Sequence, residues 1–429
     1  MISLANIAVL VAILLRFTVA GSVYQRANDI VSPETLAQVA AANKGRSPNG
    51  ETPYTRSYFY IGGEYVDDRS GAHLFRDQMY VEKLTPISGA TRKVPLVMIH
   101  GQAQTGTVSS TASGFGWPLL TPTQRSSLQN FLNKPDGGRG WASRFISQGY
   151  EVYIVDQPFR GRSAWQPGAG ASSPSTYSAE FVEQRFTAVE NYNLWPQASK
   201  HTQWPGSGLI GDPIFDAFYS SNVQFINNAT YQEYAVQAAG AMLLDKIGKP
   251  AILMGHSQGG PMPLIIADAR PKLTKALILL EPTGPPFHND IFSNESARAY
   301  GVSDIPLTYH PAVTDPSVDL VQQVYPARGA DFVQCTLQAE YPEPRKLVNL
   351  AKKPILVVTS EASYHSGYDY CTVRYLRQAG CAKTQGLELA DIGVHGNGHM
   401  FFMEKNSDQI QAVVHAWIRA VDRDRGSDS

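Results

Sequence analysis

The chain has 429 residues, of which 43% are hydrophobic and 17% are charged, and this is the composition of a globular protein. Its formal net charge is −1, so the charge gives no reason to expect a nucleic acid or an anionic membrane surface as a partner. The length allows one large domain or two ordinary ones.

The first 20 residues are predicted to be a secretory signal peptide. An apolar core at 7–15 is followed by Thr-Val-Ala at 18–20, which resembles a small-residue cleavage site, so Gly21 is the expected start of the mature chain. A membrane anchor is the alternative, but the apolar run is shorter than the ~20 residues that a span needs and is broken by Arg16. We therefore expect a secreted protein without a membrane span in its mature chain, beginning with an N-terminal extension at 21–55.

Two further features bear on export. Asn228 and Asn294 each begin an Asn-x-Ser/Thr tripeptide, which is the acceptor for N-glycosylation. The three cysteines, Cys335, Cys371 and Cys381, contain no C-x-x-C pair, so a cysteine zinc site is not indicated. In an oxidising compartment, three cysteines predict one disulfide and one free thiol.

From residue 56 the pattern alternates between strands and helices. Five elements are predicted before Asp156: strands at 56–65, 73–84, 94–99 and 150–155, and a helix at 141–148. The strand at 94–99 ends at His100-Gly101, and a loop rich in Gly, Ser and Thr follows at 102–116.

The periodicity is lost between about residues 164 and 229. This segment is rich in Pro, Gly, Ser and aromatic residues, including Trp165, Trp195 and Trp204. It is too long for a plain loop in a compact domain, so we predict a lid inserted into the fold. Thr230 then begins a helix, and Thr230-x-x-Glu233 is predicted to be its capping box.

Residues 255–259, Gly-His-Ser-Gln-Gly, are predicted to form a nucleophile elbow. An apolar strand precedes them and an apolar helix-like stretch follows, which disfavours the alternative of a chance match in a loop. Ser257 would stand at the tip of a sharp turn, with Gly255 and Gly259 at positions where a Cβ would collide with its neighbours. The N–H of Gln258 would then point to where an oxyanion forms, at the start of the next helix.

Three more strands and a helix are predicted after the elbow. The strands lie at 275–280, 354–359 and 387–394, and the helix begins near residue 406. A second insertion, at about 284–350, separates the first two of these strands. The alternation predicts an α/β fold, a mostly parallel sheet flanked by helices, in which one domain at 56–429 carries two insertions that form a lid.

A serine hydroxyl is a poor nucleophile unless a base removes its proton, and in this architecture the base follows the last strand. His395 and His399 lie there, and we favour His399 because the glycines before it allow it to reach Ser257. The acid that orients the base is left open by the residues alone. Its candidates are Glu281 and Glu361, which each end a predicted strand, and Asp369.

A series of motifs, taken in order, resembles a known family. The motifs are Ile99-His100-Gly101, Gln104-Thr-Gly106, Gly140-Trp141-Ala142, Asp156-Gln-Pro, Arg160-Gly161-Arg162-Ser163, Gly255-His-Ser-Gln-Gly-Gly, Glu281-Pro282 and Gly396-Asn-Gly-His399-Met400. They resemble those of a group of secreted bacterial and fungal α/β-hydrolase esterases with a Ser-His-Glu triad. The resemblance covers about residues 56–420.

The resemblance chooses among the carboxylates. In that group the acid follows the strand after the elbow strand, which implies that Glu281 is the acid and His399 the base. The oxyanion hole is expected to use the N–H of Gln258 and one from the loop after His100-Gly101, that of Gln102.

The resemblance also bears on the cysteines. It implies that Cys335 pairs with Cys371 and leaves Cys381 free, and the competing short loop would pair Cys371 with Cys381. Bacterial members carry two adjacent cysteines just after the His-Gly, where this chain has Gln102-Ala103, so that disulfide is absent here.

These patterns predict a secreted serine hydrolase that cleaves carboxylic esters through an acyl-enzyme, without a metal or organic cofactor. Both insertions leave the sheet on the elbow side, so their aromatic residues, Phe287 included, should wall a pocket for small, uncharged, apolar esters. The alternative is that these rings form a small core of the lid itself, and we expect some of them to do so. An acyltransferase of the same fold is one alternative. A catalytically silent binding protein is another, which the complete set of serine, acid and histidine disfavours.

Overall fold

The computed structural model describes residues 52–68, 70–106, 131–167 and 173–423. The predicted signal peptide at 1–20 lies outside these residues. So do most of the predicted extension at 21–55, part of the loop at 102–116 and part of the insertion at 164–229.

An eight-stranded sheet runs through the centre of the fold. Its strands are β1 (Tyr54–Ile61), β2 (Met79–Pro86), β3 (Leu96–Ile99), β4 (Val152–Asp156), β5 (Ala251–His256), β6 (Thr274–Leu280), β7 (Ile355–Thr359) and β8 (Thr384–Glu388). They lie in the order β1-β2-β4-β3-β5-β6-β7-β8. The strands from β4 across to β8 are parallel, whereas β1 and β2 pair antiparallel with their neighbours. The predicted mostly parallel sheet is confirmed.

Helices cover both faces of this sheet. They are α1 (Trp141–Ser147), α2 (Ala179–Val182), α3 (Pro213–Tyr219), α4 (Ala229–Ile247), α5 (Met262–Ala269), α6 (Pro316–Asp319), α7 (Asp369–Gln378) and α8 (Ser407–Arg423). Successive side chains of a strand point to opposite faces, so Val97 and Ile99 of β3 join one core, with α4, α5 and α7. Leu96 and Met98 join the other core, with α1 and α8. Both faces are buried, which explains why the strands read as continuous apolar runs.

The remaining regular elements are short. They comprise a π-helix at Glu183–Thr187, 3₁₀ helices at Val189–Asn191, Ala198–Lys200, Ser257–Gly259, Pro271–Leu273, Tyr364–Gly367 and Leu389–Ile392, and ribbons pairing Glu64–Asp67 with His73–Arg76, Tyr309–His310 with Lys346–Leu347 and Gln322–Tyr325 with Cys335–Gln338. A disulfide joins Cys335 to Cys371 of α7, and Cys381 is a buried free thiol. Within the described ranges, no helix combines the length and the apolar character that crossing a membrane requires.

Three predicted strand spans are wrong. The predicted strand at 56–65 is divided at Gly62 and Gly63, whose φ angles of 71° and 80° take the chain out of the extended conformation. The predicted strand at 73–84 is divided in the same way at Asp77, which has a φ of 71°. The predicted strand at 387–394 begins earlier, as β8, and ends at Glu388. The 3₁₀ helix Leu389–Ile392 follows directly.

The predicted capping box at Thr230 and Glu233 is also wrong. α4 begins one residue earlier, and the side chain of Asn228 caps it by accepting the N–H of Tyr231 at 3.0 Å. Glu233 is buried and accepts the backbone N–H groups of Asp304 and Ile305 at 2.8 and 3.1 Å. Its carboxylate therefore ties α4 to the second insertion and does not close the helix start.

Candidate active site

A strained turn directly after β5 carries Ser257. This residue has a φ of 56°, in the left-handed region that costs energy for any residue except glycine. A Cβ at Gly255 would lie 2.0 Å from the carbonyl oxygen of Gly259, and a Cβ at Gly259 would lie 2.2 Å from that of His100. The turn closes only because both positions lack a side chain. This is the geometry of a nucleophile elbow.

His399 is paired with a buried carboxylate. Its Nδ1 lies 2.6 Å from Oε2 of Glu281, which directly follows β6. The backbone N–H of Ser360 and the hydroxyls of Ser360 and Ser363 also donate to Glu281, at 2.7, 2.6 and 2.7 Å. Burial raises the pKa of Glu281, while His365 and these hydrogen bonds act in the opposite direction. The carboxylate thus fixes the Nδ1 edge of the imidazole, and both side chains are buried.

The two ring nitrogens of His399 differ in protonation. A carboxylate only accepts hydrogen bonds, so Nδ1 carries the proton and Nε2 is left as an acceptor. Nε2 has no hydrogen-bond partner within the described residues. Burial, followed by the neighbouring His365, lowers the pKa of His399 well below its ordinary value. The imidazole is therefore neutral and can receive a proton in the pocket that it lines together with Ser257.

The loop after β3 brings Gln102 to the pocket that Ser257 and His399 line. Its hydrogen bonds include those of Arg160 Nη1 to the Gly101 carbonyl at 2.8 Å, of the Gly101 N–H to Gln104 Oε1 at 3.1 Å, and of the Val223 N–H to the Ala103 carbonyl at 2.9 Å. Arg160 is fully buried behind the loop. These bonds brace the backbone of the loop at residues 101–103.

Gln258 lies in the 3₁₀ helix Ser257–Gly259, at a helix start, where backbone N–H groups have no partner within the helix. The side chain of Gln258 makes a hydrogen bond of its own. Oε1 accepts from Nε2 of Gln157 at 3.1 Å, and the same Nε2 lies 2.6 Å from the carbonyl oxygen of His100. Gln157 thus links the ends of β3 and β4 to the elbow.

The pocket at Ser257 spans about 300 Å³ of empty space, part of which is open to solvent. It is lined by Gly101, Gln102, Ala103, Gln104, Tyr177, Val182, Phe186, Phe218, Asn222, His256, Ser257, His399 and Met400. Among these described residues there is no Lys, Arg, Asp or Glu. The first insertion supplies most of the apolar wall, through Tyr177, Val182, Phe186 and Phe218.

None of the four aromatic residues named from the sequence is in the described lining of this pocket. Trp204 and Phe287 pack into the two cores of the sheet, and Trp195 packs against Val189 and Ala198 inside the lid. Trp165 lies against a small cluster around Phe159. The second insertion does not reach the pocket lining among the described residues. The aromatic content indicated a wall, but a segment without periodicity gives no signal for which rings face inwards.

The other candidates of the sequence form separate pairs. His395 Nδ1 lies 3.1 Å from Glu361 Oε2, and the side chain of His395 is 61% exposed. Lys200 pairs with the same carboxylate at 3.3 Å. Asp369 is buried and pairs with His365 at 3.0 Å. The structure therefore brings neither Glu361 nor Asp369 into a hydrogen bond with His399.

His365 is a neighbour that the sequence did not indicate. Its ring is parallel to that of His399, with centroids 4.7 Å apart and an interplanar angle of 3°. Glu281, His365 and His399 each have one potential metal-ligand atom, and these atoms lie within 4.8 Å of one another. However, Nδ1 of each ring is hydrogen-bonded to a carboxylate, and Nε2 of His365 lies 3.2 Å from the hydroxyl of Tyr368. A metal would have to break these bonds, so the cluster fits a hydrogen-bond network better than a metal site.

Comparisons with known proteins concern the family and the fold. Residues 96–416 match a family model described as "Alpha/beta hydrolase family". A protein of Fungal sp. (strain ATCC 74256), named "Probable secreted lipase phiG", is 41% identical over 363 residues, which are 85% of this chain and 89% of that protein. A solved structure described as "The Atomic Resolution Structure of a Novel Bacterial Esterase" superposes with a TM-score of 0.56 at 20% identity, over 87% of this chain and 98% of that one. The last likeness establishes a shared fold.

Proposed function

Because the chain belongs to the α/β hydrolase family, we propose that it is a secreted serine hydrolase that cleaves carboxylic esters through an acyl-enzyme intermediate. One observation carries the proposal. His399 Nδ1 lies 2.6 Å from Glu281, and its Nε2, without a partner among the described residues, lines one pocket with Ser257. A neutral base, an orienting acid and a serine hydroxyl that lines the same pocket are the parts that nucleophilic acyl transfer requires.

In the acylation step, Ser257 Oγ attacks the ester carbonyl carbon and its proton passes to His399 Nε2. Glu281 keeps the ring in the productive tautomer and stabilises the imidazolium that forms. The carbonyl oxygen becomes an oxyanion, for which the backbone N–H groups of Gln102 and Gln258 are the proposed donors. Each such donor is typically worth ~3 kcal/mol of transition-state stabilisation.

The tetrahedral intermediate then collapses. The alcohol leaves with the proton from His399, and Ser257 remains acylated. Water enters, gives a proton to His399 Nε2 and attacks the acyl carbon through the same oxyanion site. The acid is released when the proton returns to Ser257 Oγ, so the step consumes one water and regenerates the enzyme.

The pocket lining supports an uncharged, apolar ester as the substrate. Tyr177, Val182, Phe186 and Phe218 present apolar surface, and the described lining contributes no ionised carboxylate, ammonium or guanidinium group. A charged substrate group in this wall would lose its hydration without gaining a partner, which costs several kcal/mol.

A matched pair of esters tests this selectivity. The value of kcat/KM for p-nitrophenyl valerate should exceed that for p-nitrophenyl hemisuccinate, a substrate of similar size, by about tenfold or more, which corresponds to ~1.4 kcal/mol. Release of p-nitrophenol measures both rates, and Ser257→Ala supplies the background. Equal values for the two esters would remove the claim of an apolar pocket and leave the triad untouched.

Export of the protein is part of the proposal. The apolar segment at 7–15 and the cleavage-like residues at 18–20 support it, as does the word "secreted" in the name of the fungal relative. Asn294 is exposed and accessible to a glycan, while Asn228 is half-buried at the start of α4. We therefore propose Asn294 as the better of the two glycosylation sites.

A further inference from the structure

A buried network joins the first insertion to the loop that carries His399. Its centre is His201, whose Nδ1 lies 2.7 Å from Glu190 Oε2 and whose Nε2 lies 2.9 Å from Glu404 Oε1. The side chains of His201 and Glu404 are 1% and 0% exposed, and that of Glu190 is 33% exposed. His201 and Glu190 belong to the insertion, and Glu404 lies between His399 and α8.

Glu404 holds the backbone next to His399. It accepts the N–H of Gly398 at 3.0 and 3.2 Å with its two oxygens, and the side-chain amide of Asn397 donates to it at 2.7 Å. Gly398 directly precedes His399. A Cβ at Gly398 would lie 3.0 Å from His201 Nε2, so a glycine allows this close approach.

Backbone hydrogen bonds flank the network on both sides. The N–H groups of Thr202 and Gln203 donate to the carbonyl of Gly396 at 2.9 and 3.2 Å. The N–H of Lys405 donates to the carbonyl of Gln203 at 3.0 Å. The segment after His201 is therefore attached to the chain both before and after His399.

The position of His201 between two carboxylates favours a charged ring. Both ring nitrogens lie within hydrogen-bonding distance of carboxylate oxygens, and a doubly protonated ring donates to both. Burial lowers the pKa of His201, but the hydrogen bonds to Glu190 and Glu404 outweigh it and raise the pKa to about 9. Three lysines also contact these segments: Lys134 bonds the Glu404 carbonyl, Lys200 pairs with Glu361, and Lys405 bonds the Thr202 carbonyl.

We propose that His201 is a positioning residue for the reaction: its imidazolium, held between Glu190 and Glu404, fixes the backbone of Gly398 and thereby the orientation of His399 towards Ser257. The inference rests on the proposed function, in which His399 is the base. Loss of the His201 proton would leave the carboxylate of Glu404 buried without its cation, and the loop would lose its anchor to the lid.

The first test is the variant His201→Gln. We expect kcat for ester hydrolysis to fall by about 10- to 100-fold, the cost of misplacing a catalytic group by about 1 Å, while KM changes less than about threefold. His201 is charged below its pKa and neutral above it, so kcat of the wild type should fall as the pH rises through about 9. That alkaline fall should be absent from the variant, which has no group to titrate there.

The second test is Glu190→Gln, which removes the partly exposed carboxylate and decides the question even if His201→Gln does not fold. With one carboxylate lost, His201 should release its proton more readily, so the alkaline fall of kcat should begin at lower pH than in the wild type. The matched control is His395→Gln, an exposed histidine on the same loop, which should keep the wild-type kcat and pH profile.

The inference is overturned if the alkaline profile of Glu190→Gln matches the wild type, or if a folded His201→Gln keeps the wild-type kcat. This failure differs from failure of the proposed function. If only the inference about His201 fails, the wild type hydrolyses esters and only the variants behave unexpectedly. If the proposed function fails, the wild type itself is inactive towards esters.

Discussion

Replacing Ser257 by alanine is expected to lower kcat for ester hydrolysis by about 10⁵- to 10⁶-fold, to near the background rate. In the proposed mechanism the change removes the atom that forms the covalent bond to the acyl group, while His399, Glu281 and the proposed oxyanion donors stay in place. Without the nucleophile, oxyanion donors and substrate binding alone leave only a small residual rate. Initial rates with p-nitrophenyl valerate measure the effect.

The matched control for this prediction is Ser317→Ala. Ser317 is exposed and lies in the second insertion, and its hydroxyl bonds only to the nearby Asp315 among the described residues. Its loss should leave kcat within about twofold, since surface changes of this kind have small effects. A Ser257→Ala variant that retains its melting temperature and more than a few per cent of the activity would mean that Ser257 is not the nucleophile.

Glu281→Gln is expected to lower kcat by about 10⁴-fold with little change in KM. The carboxylate accepts the Nδ1 proton of His399 at 2.6 Å. An amide placed there can turn its NH₂ group towards Nδ1, which favours the opposite tautomer and puts the proton on Nε2. His399 could then no longer accept the proton of Ser257. The measurement is kcat over a pH range wide enough to distinguish a lost tautomer from a shifted pKa.

Glu361→Gln is the matched control, because Glu361 was the rival acid on sequence grounds. It bonds to His395, Lys200 and the N–H of Gly396, near the surface. Ion pairs of this kind contribute about 0–1 kcal/mol, so kcat should stay within about threefold of the wild type. If Glu361→Gln lowered kcat and Glu281→Gln kept it, the assignment of the acid would be reversed.

The fold was predictable because its signals are local. Buried parallel strands read as apolar runs, and the turn at Ser257 needs glycines at fixed offsets because a Cβ at Gly255 or Gly259 would lie 2.0–2.2 Å from a carbonyl oxygen. The ends of elements were less predictable. Asn228 outcompeted Thr230 as the cap of α4, and Glu233 bonds to backbone groups about 70 residues away in the chain.

The site was predictable only in part, for a related reason. Glu281 follows the strand beside the elbow strand, and Glu361 follows the next strand of the sheet. Either position could hold the acid on sequence grounds, and the choice came from resemblance. The network of His201, Glu190 and Glu404 joins residues up to 214 positions apart, and no periodicity or motif signals such a contact. The same holds for Phe186 and Phe218, which face the pocket from a segment without regular pattern.

The central claim is that Ser257 carries the acyl group, and covalent labelling tests it most directly. The wild-type protein is incubated with a fluorophosphonate, its intact mass is measured, and the modified peptide is identified by fragmentation. We predict one adduct per chain, on Ser257, together with loss of ester hydrolysis and no adduct on Ser257→Ala. An active wild type that forms no adduct, or that carries it on another residue, would contradict the account.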